Sequence, residues 1–360
     1  MDYTTRELLA ICDETVKTQS FLKDTFFPTN ESEDVFTTQE VLAEYKDDDI
    51  SAAPFVSPLN KNGIAIRRKG AEMKSMTPLH INVNKTLRSE DLKKRGFGEA
   101  LNGDLTPEER AGLLQQQDME TLDKTVTVTE EKLCAEVLLN SAVIVKQYIS
   151  GPFTEDNTAQ TEPYEMKFFD GEANPYIFTP AVPWSDSDVD ILQDIELMAE
   201  SLTRRGCPYN VLLCDSYTAS LIKNNKKVKE QLDNRRIEMG HIKPEQITAF
   251  VSRFAVLNIG GLDVDFVCIS GQYKDYDGKT KAFFPKGTVI LTAVGCGRTL
   301  YGAENQIDYG DSDYTTYAAK RVPKVMINQP TDEKAIMLKA NPLPMPNRRG
   351  AWVTAKVITG

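Results

Sequence analysis

The chain has 360 residues, 41% hydrophobic and 26% charged, with a formal net charge of −11. That length suits two domains or one large elaborated one, and the apolar content can bury a core, which excludes a disordered polymer. The acidic balance argues against a chain whose main task is gripping nucleic acid; it suits one that stays soluble at high concentration or faces packed polyanion without sticking to it.

Charge is unevenly spread. Residues 1–60 hold 4 Lys/Arg against 13 Asp/Glu, a net of −9, whereas residues 61–94 hold 9 against 3, a net of +6. Six cysteines (Cys12, Cys134, Cys207, Cys214, Cys268, Cys296) are scattered with no CxxC pair, which reads as reduced, mostly buried thiols. No apolar h-region follows Asp2 and no run approaches a membrane span, so neither a secretory signal nor a membrane anchor is expected.

Thr4-Thr5-Arg6-Glu7 is a capping box that predicts a short helix with Leu8, Ile11 and Cys12 on one side. Phe21, Leu22, Phe26 and Phe27 follow, ended by Pro28, and then strand-like Val35-Phe36-Thr37-Thr38 and Val41-Leu42. With no closing partner nearby, this stretch reads as an arm lying on something else, its Phe cluster packed either in its own core or on a neighbour. Ile64 and Ile66 alternate, as do Leu79, Ile81 and Val83, with Lys69-Gly70 between. The pattern predicts an extended β-hairpin carrying Arg67, Arg68, Lys69 and Lys74 towards its tip. A lone hairpin is marginal in water, so it must lie on another surface, and the basic tip suggests an acidic one.

Residues 106–140 dominate the plan. Thr106-Pro107-Glu108-Glu109 supplies an N-cap, a proline at the first helical position and a glutamate three residues after the cap. Met119, Leu122, Val126, Leu133 and Val137 then recur in steps of three, four or seven, one face of a helix. Such a helix is roughly 50 Å long, which outgrows a compact core and suggests a spine. Thr125-Val126-Thr127-Val128-Thr129 is β-branched throughout and could instead be a strand or a kink.

A different texture starts at Trp184. Ser185-Asp186-Ser187-Asp188 is expected to cap a helix through Leu202; Asn210 to Cys214 is a buried strand; Asp215-Ser216 opens another helix; and residues 226–236 form a charged one. Gly260-Gly261 and Asp277-Gly278 turn hairpins, and Lys286-Gly287 turns into a strand over 288–294. This is a compact α/β unit. Beyond it, strands are expected near 334–339 and 352–358, with Asn341-Pro342-Leu343-Pro344-Met345-Pro346 as a stiff surface loop.

Chemistry is hard to find. His80 and His241 are the only histidines, they share no motif, and no GxSxG elbow is present, so no catalytic residue is assigned. Gly295, Gly297 and Gly302 fit neither phosphate-loop spacing and read as glycines at strand turns. Asp186, Asp188 and Asp190 resemble the start of a calcium loop, but Ile191 and Leu197 occupy its glycine and glutamate positions; helix-start carboxylates explain them better. No metal site and no cofactor are expected.

The ordered set Tyr3-Thr4-Thr5 with Leu8-Leu9-Ala10, Phe55-Val56-Ser57-Pro58 with Gly70 and Thr77-Pro78, the run 226–236, Ser270-Gly271-Gln272-Tyr273, Gly278-Lys279, Phe284-Pro285, Gly297-Arg298-Thr299 and Tyr301-Gly302 resembles the phage major capsid protein E family, the lambda-like capsid subunits with the HK97-type fold. The resemblance runs nearly the whole chain and departs in 10–50, 95–125, 150–185 and the last 50 residues. It implies an α+β fold with an N-terminal arm (1–52), an extended E-loop hairpin (53–92), a P-domain with a long spine helix (93–165 and 305–360) and an α/β A-domain (166–304). It also implies a structural protein, not an enzyme, whose hexamers and pentamers close an icosahedral shell around double-stranded DNA bound without sequence preference. The implied partners are other copies of the chain, a scaffolding protein and portal during assembly in the host cytoplasm, and a decoration protein; no membrane is involved. Arg67, Arg68, Lys69, Lys74, Phe26 and Phe27 are the expected inter-subunit contacts. Two alternatives remain: an encapsulin-like shell around protein cargo, and a soluble enzyme with an unrecognised site.

Overall fold

The computed structural model describes residues 20–45, 72–88, 106–148, 161–169, 174–186, 189–232, 240–241, 245–275, 278–308 and 312–358, with Glu90 and Gly310. The chain runs through α1 (Phe21–Phe26), β1 (Val41–Tyr45), β2 (Glu72–Met76), β3 (Ile81–Arg88), α2 (Pro107–Asn140), β4 (Ala142–Tyr148), β5 (Thr161–Lys167) and β6 (Ile177–Phe178). Next come α3 (Ile191–Arg204), β7 (Val211–Asp215), α4 (Ser216–Asn224), α5 (Lys226–Leu232), β8 (Gly240–His241), β9 (Glu245–Thr248), β10 (Val251–Ile259) and β11 (Leu262–Ile269). It ends with β12 (Gln272–Lys274), β13 (Thr280–Ala282), β14 (Thr288–Thr292), β15 (Gly297–Tyr301), β16 (Glu304–Ile307), β17 (Tyr314–Tyr317), β18 (Val322–Asn328), β19 (Glu333–Ala340), β20 (Pro342–Pro346) and β21 (Val353–Lys356).

The spine is one helix of 34 residues. Its capping box closes in both directions: the Thr106 hydroxyl accepts from the Glu109 N–H at 3.3 Å, and the Glu109 carboxylate accepts from the Thr106 N–H at 2.9 Å. The β-branched stretch stays helical because its hydroxyls have partners inside the helix. Thr121, Thr125 and Thr129 each donate to the carbonyl four residues back, at 2.7, 2.8 and 2.9 Å. Ser141, at φ 50°, stops it. The apolar stripe serves two cores in turn. Met119, Leu122 and Val126 pack against Ile336, Leu338 and Ala340 of the three-stranded sheet β18-β19-β3. Two to three turns on, Leu133, Val137 and Leu138 enter a larger core with Phe26, Phe27 and Trp352.

The second body is a mixed eight-stranded sheet in the order β6-β21-β14-β7-β11-β10-β8, with β9 also on β10. β7 lies parallel to β11 and antiparallel to β14. All five residues of β7 are buried because both faces are covered. Leu212 and Cys214 meet α3 and α4 on one side, while Val211 and Leu213 join the core that receives the spine. Gly260 and Gly261, at φ 59° and 89°, make the tight turn between β10 and β11 that their spacing predicts.

Several expectations need correcting. The part of the arm over 20–45 is closed by its own chain: it runs along β15 as a strap. Gly295, Thr299 and Tyr301 N–H donate to the carbonyls of Thr25, Pro28 and Asp34, and Phe36 N–H donates back to Tyr301. Gly297 and Gly302 have no side chain because the strap passes there; a Cβ on Gly297 would sit 2.3 Å from the Phe27 ring, and one on Gly302 would sit 2.8 Å from the Gln39 carbonyl. Of the expected hairpin, β2 pairs with β1 and β3 with β19, while its first strand over 63–68 lies outside the described residues. Helix α3 is capped by Asp190, which accepts from Gln193 N–H, because the helix starts only at Ile191. The supposed loop over 341–346 is β20, buried throughout and paired with β15. Gly302 N–H bonds to Asn341 O and Asn347 N–H to Cys296 O, so the odd positions face β15; Pro342, Pro344 and Pro346, lacking N–H, face the other way. β21 hydrogen-bonds to β14 in the large sheet.

Two glycines give opposite expected outcomes in urea melts. Gly297→Ala overpacks the strap contact and costs about 2–3 kcal/mol. Gly112→Ala, in the spine with nothing within 4 Å of its added Cβ, stabilises by about 0.5–1 kcal/mol.

Candidate assembly site

The spine's apolar stripe jumps seven residues from Val126 to Leu133, and Glu130 fills the gap. Its side chain is 1% exposed. Arg321 grips it with two nitrogens, Nη1 at 2.6 Å from Oε1 and Nη2 at 2.9 Å from Oε2. Lys23 Nζ donates to Oε2 at 2.6 Å and the Tyr301 hydroxyl to Oε1 at 2.8 Å. Arg321 is held in turn by Asp123, Nε to Oδ1 at 3.1 Å. One carboxylate therefore joins the spine, the strap, β15 and the residue before β18.

Its neighbour Glu131 faces the start of α1. It accepts from Leu22 N–H at 2.6 Å, Lys23 N–H at 3.1 Å and the Ser20 hydroxyl at 2.9 Å. Burial alone would raise the Glu130 carboxyl, but the charge and hydrogen bonds of Arg321 and Lys23 outweigh it and hold the group at about 2. The same pairing raises Arg321 against its own burial, and burial followed by the Glu130 charge pushes Tyr301 well up. Glu131 is raised, because burial outweighs its three hydrogen bonds.

Of the predicted contact residues, Phe26 and Phe27 are fully buried in this chain, so they offer a neighbour nothing. Phe26 meets Phe21 edge-on at 5.8 Å and Phe27 meets Trp352 at 6.1 Å. Arg67, Arg68, Lys69 and the Lys74 side chain lie outside the described residues, as do the first predicted helix and residues 233–236. Two other cations of the basic segment pair within the chain: Lys85 with Asp118 of the spine at 3.0 Å and Arg88 with Glu333 at 2.8 Å. His80 Nδ1 lies 2.8 Å from the Asn341 amide oxygen, and both flank Glu304. Among the described residues no cluster of three or more His, Cys, Asp or Glu could hold a metal, and no helix is long and apolar enough to cross a membrane. Large apolar side chains do reach solvent at separate places: Leu113 and Val128 on the spine, Phe250 before β10, and Tyr314 on the β16–β17 hairpin.

A long helix bearing a three-stranded sheet, beside a mixed sheet with helices on one face, is the architecture of an HK97-type capsid subunit. The structure is similar to that of a prophage capsid protein from E. coli CFT073, with a TM-score of 0.64 at 19% identity over 99% of each chain. The family model for phage major capsid protein E matches residues 4–357. The chain belongs to that family: it is a shell-forming phage capsid protein and a virion component. It is 26% identical to the major capsid protein of Escherichia phage lambda over 312 residues, 85% of each chain, and 26% identical to that of Escherichia phage N15 over 294 residues, 80% of each.

The pH dependence follows from the junction. Glu130 sits at about 2 in the fold against an ordinary 4.5, so its contribution is present above about pH 4.5 and is lost as pH falls towards 2. Glu131 and Glu136 are raised and act in the opposite sense, favouring the fold as pH falls. Glu130→Gln is expected to cost about 3 kcal/mol at pH 7 by stranding Arg321. It also flattens the loss of stability between pH 4.5 and 2, read from urea melts across that range.

Proposed function

We propose that this chain builds hexamers and pentamers that close an icosahedral head around packaged double-stranded DNA. Its division would be an arm (1–52), an E-loop (53–92), a P-domain (93–165 and 305–360) and an A-domain (166–304). The observation that carries this reading is the 34-residue spine: its solvent face, with Leu113, Thr121, Thr125 and Val128, is uncovered in the isolated subunit. A helix with one face buried twice over and the other unpartnered is a platform across which another copy's hairpin can lie. The segregated charges support the same picture. Arg67, Arg68, Lys69 and Lys74 meet acidic surface on the adjacent copy, and many contacts of modest size hold the shell. The net charge of −11 keeps the wall from adhering to DNA, which is enclosed without sequence preference. Assembly takes place in the host cytoplasm with a scaffolding protein and a portal, and a decoration protein can cover the finished lattice. The chain itself catalyses nothing and takes no cofactor.

Negative-stain microscopy of the expressed chain, with and without its scaffolding protein, tests this. Capsomers or closed particles are expected; a persistent monomer under both conditions overturns the reading, and particles that carry protein in place of DNA point to a cargo shell. Charge reversal of the four basic residues together is expected to reduce particle yield at least tenfold without shifting the melting temperature. Cryo-EM of the shell that shows all four facing only water would refute their role.

A further inference from the structure

The α/β body keeps one face of its sheet for the core that receives the spine and covers the other with α3, α4 and α5, so the outward sides of these helices form a surface of their own. On α4 and α5 that surface is basic. Residues 216–232 hold Lys223, Lys226, Lys227 and Lys229 against one carboxylate, Glu230, all five exposed, and Lys286, also exposed, precedes β14. Lys227 is tied to Asp190 at 2.7 Å. Lys223 and Lys286 are set over aromatic rings, 4.8 Å from the centre of Phe254 and 4.0 Å from that of Tyr217. A ring holds a cation in place without cancelling its charge, so this face stays positive on a chain of net −11.

The strap is its counterpart. Residues 24–45 hold six carboxylates and no Lys or Arg. Asp24, Glu31, Glu33 and Glu40 are exposed, whereas Asp34 turns inward, accepting Asn30 N–H at 2.8 Å with Arg298 Nη1 at 3.6 Å. The turn over 30–34 is closed by Glu33 and Asp34 N–H, which donate to Asn30 O at 3.1 and 2.8 Å, and by the Ser32 hydroxyl on the Asn30 amide oxygen at 2.9 Å. Fixed along β15 and stiffened at its turn, the strap presents its outward carboxylates with little ordering left to do on contact. Glu31 is engaged by Lys320 at 2.9 Å, but no ion pair joins Asp24, Glu33 or Glu40 to Lys223, Lys229 or Lys286 within the chain.

We propose that the lysine face of α4 and α5 is an interaction surface whose partner is the strap of a second copy, with the turn that carries Glu33 at the centre of the contact. That the contact serves a closed shell rests on the reading above; the pairing itself needs only two copies. A chain that assembles with itself carries both halves of every unlike contact. Patches of opposite sign on separate parts of one subunit join copies head to tail, the kind of contact that closes into rings. Opposite charge steers such a contact and fixes its register more than it tightens it.

The full chain is tested in three charge-reversed forms: Lys223→Glu with Lys229→Glu, Glu33→Lys with Glu40→Lys, and all four together. Like charges brought face to face oppose the contact, so each pair is expected to lower particle yield about tenfold at low salt, with the melting temperature of the free subunit unchanged. The fourfold variant, which swaps the signs, recovers most of the wild-type yield. Wild type is also cross-linked with a zero-length carbodiimide in a mixture of isotope-labelled and unlabelled copies. Peptides that join Lys223, Lys229 or Lys286 of one isotope to Asp24, Glu33 or Glu40 of the other are expected. The proposal is overturned if both pairs leave the yield unchanged, if the fourfold variant does no better than the pairs, or if no mixed peptide joins these groups. Lysine reversal that spares particle formation and lowers only the DNA content assigns the face to DNA and also overturns it. If wild type forms no particles, the shell reading fails, and the mixed cross-links at high protein concentration still decide whether strap and lysine face meet.

Discussion

A carboxylate with almost no access to water must find its partners inside the protein, and Glu130 finds three, on three different segments. Arg321, Lys23 and Tyr301 converge on it from the residue before β18, the strap and β15. Hydrophobic contacts could hold those segments together but would tolerate sliding; a bidentate arginine and two further donors to the same pair of oxygens do not. A buried ion pair is weak as a source of net stability and strong as a fixer of register. That suits its place, because the spine changes cores there. Upstream it faces the three-stranded sheet, downstream the core under the large sheet, and the relative setting of the two bodies passes through this turn.

A subunit of a closed shell has to be rigid where it is measured by its neighbours and unfinished where it meets them. Among the described residues apolar content is concentrated in three internal cores, and the large apolar side chains left outside are spread: Leu113 and Val128 lie fifteen residues apart on the spine, Phe250 before β10 and Tyr314 on the β16–β17 hairpin. Spread-out apolar side chains make no single large exposed patch, and each can still add to a contact once copies are aligned.

How much of this was legible in the sequence depended on whether the deciding partner was near in the chain. The spine, its cap, both glycine turns and β7 were readable because capping boxes, periodicity and φ > 0 positions are local. The strap was not: its hydrogen bonds run to residues about 270 positions away, so 20–45 resembled an arm with nothing to lie on. For the same reason the sequence leaves open whether Phe26 and Phe27 pack in their own core or on a neighbour. Glu130 did leave a trace, since the seven-residue step from Val126 to Leu133 skipped one turn of the buried stripe, and the residue in that turn is acidic. A charge in a position that periodicity marks as interior asks for distant partners, and only the fold names Arg321.

β20 shows how a chain can bury the edge of a two-stranded ribbon. A strand paired on one side leaves every second N–H pointing away from its partner, and in the interior each such group would need an acceptor or would weaken the packing around it. Here those positions are Pro342, Pro344 and Pro346, so that edge has no N–H to satisfy and only carbonyls to place. Replacing the three prolines with alanines would restore three N–H donors to a buried edge that has no paired strand to receive them.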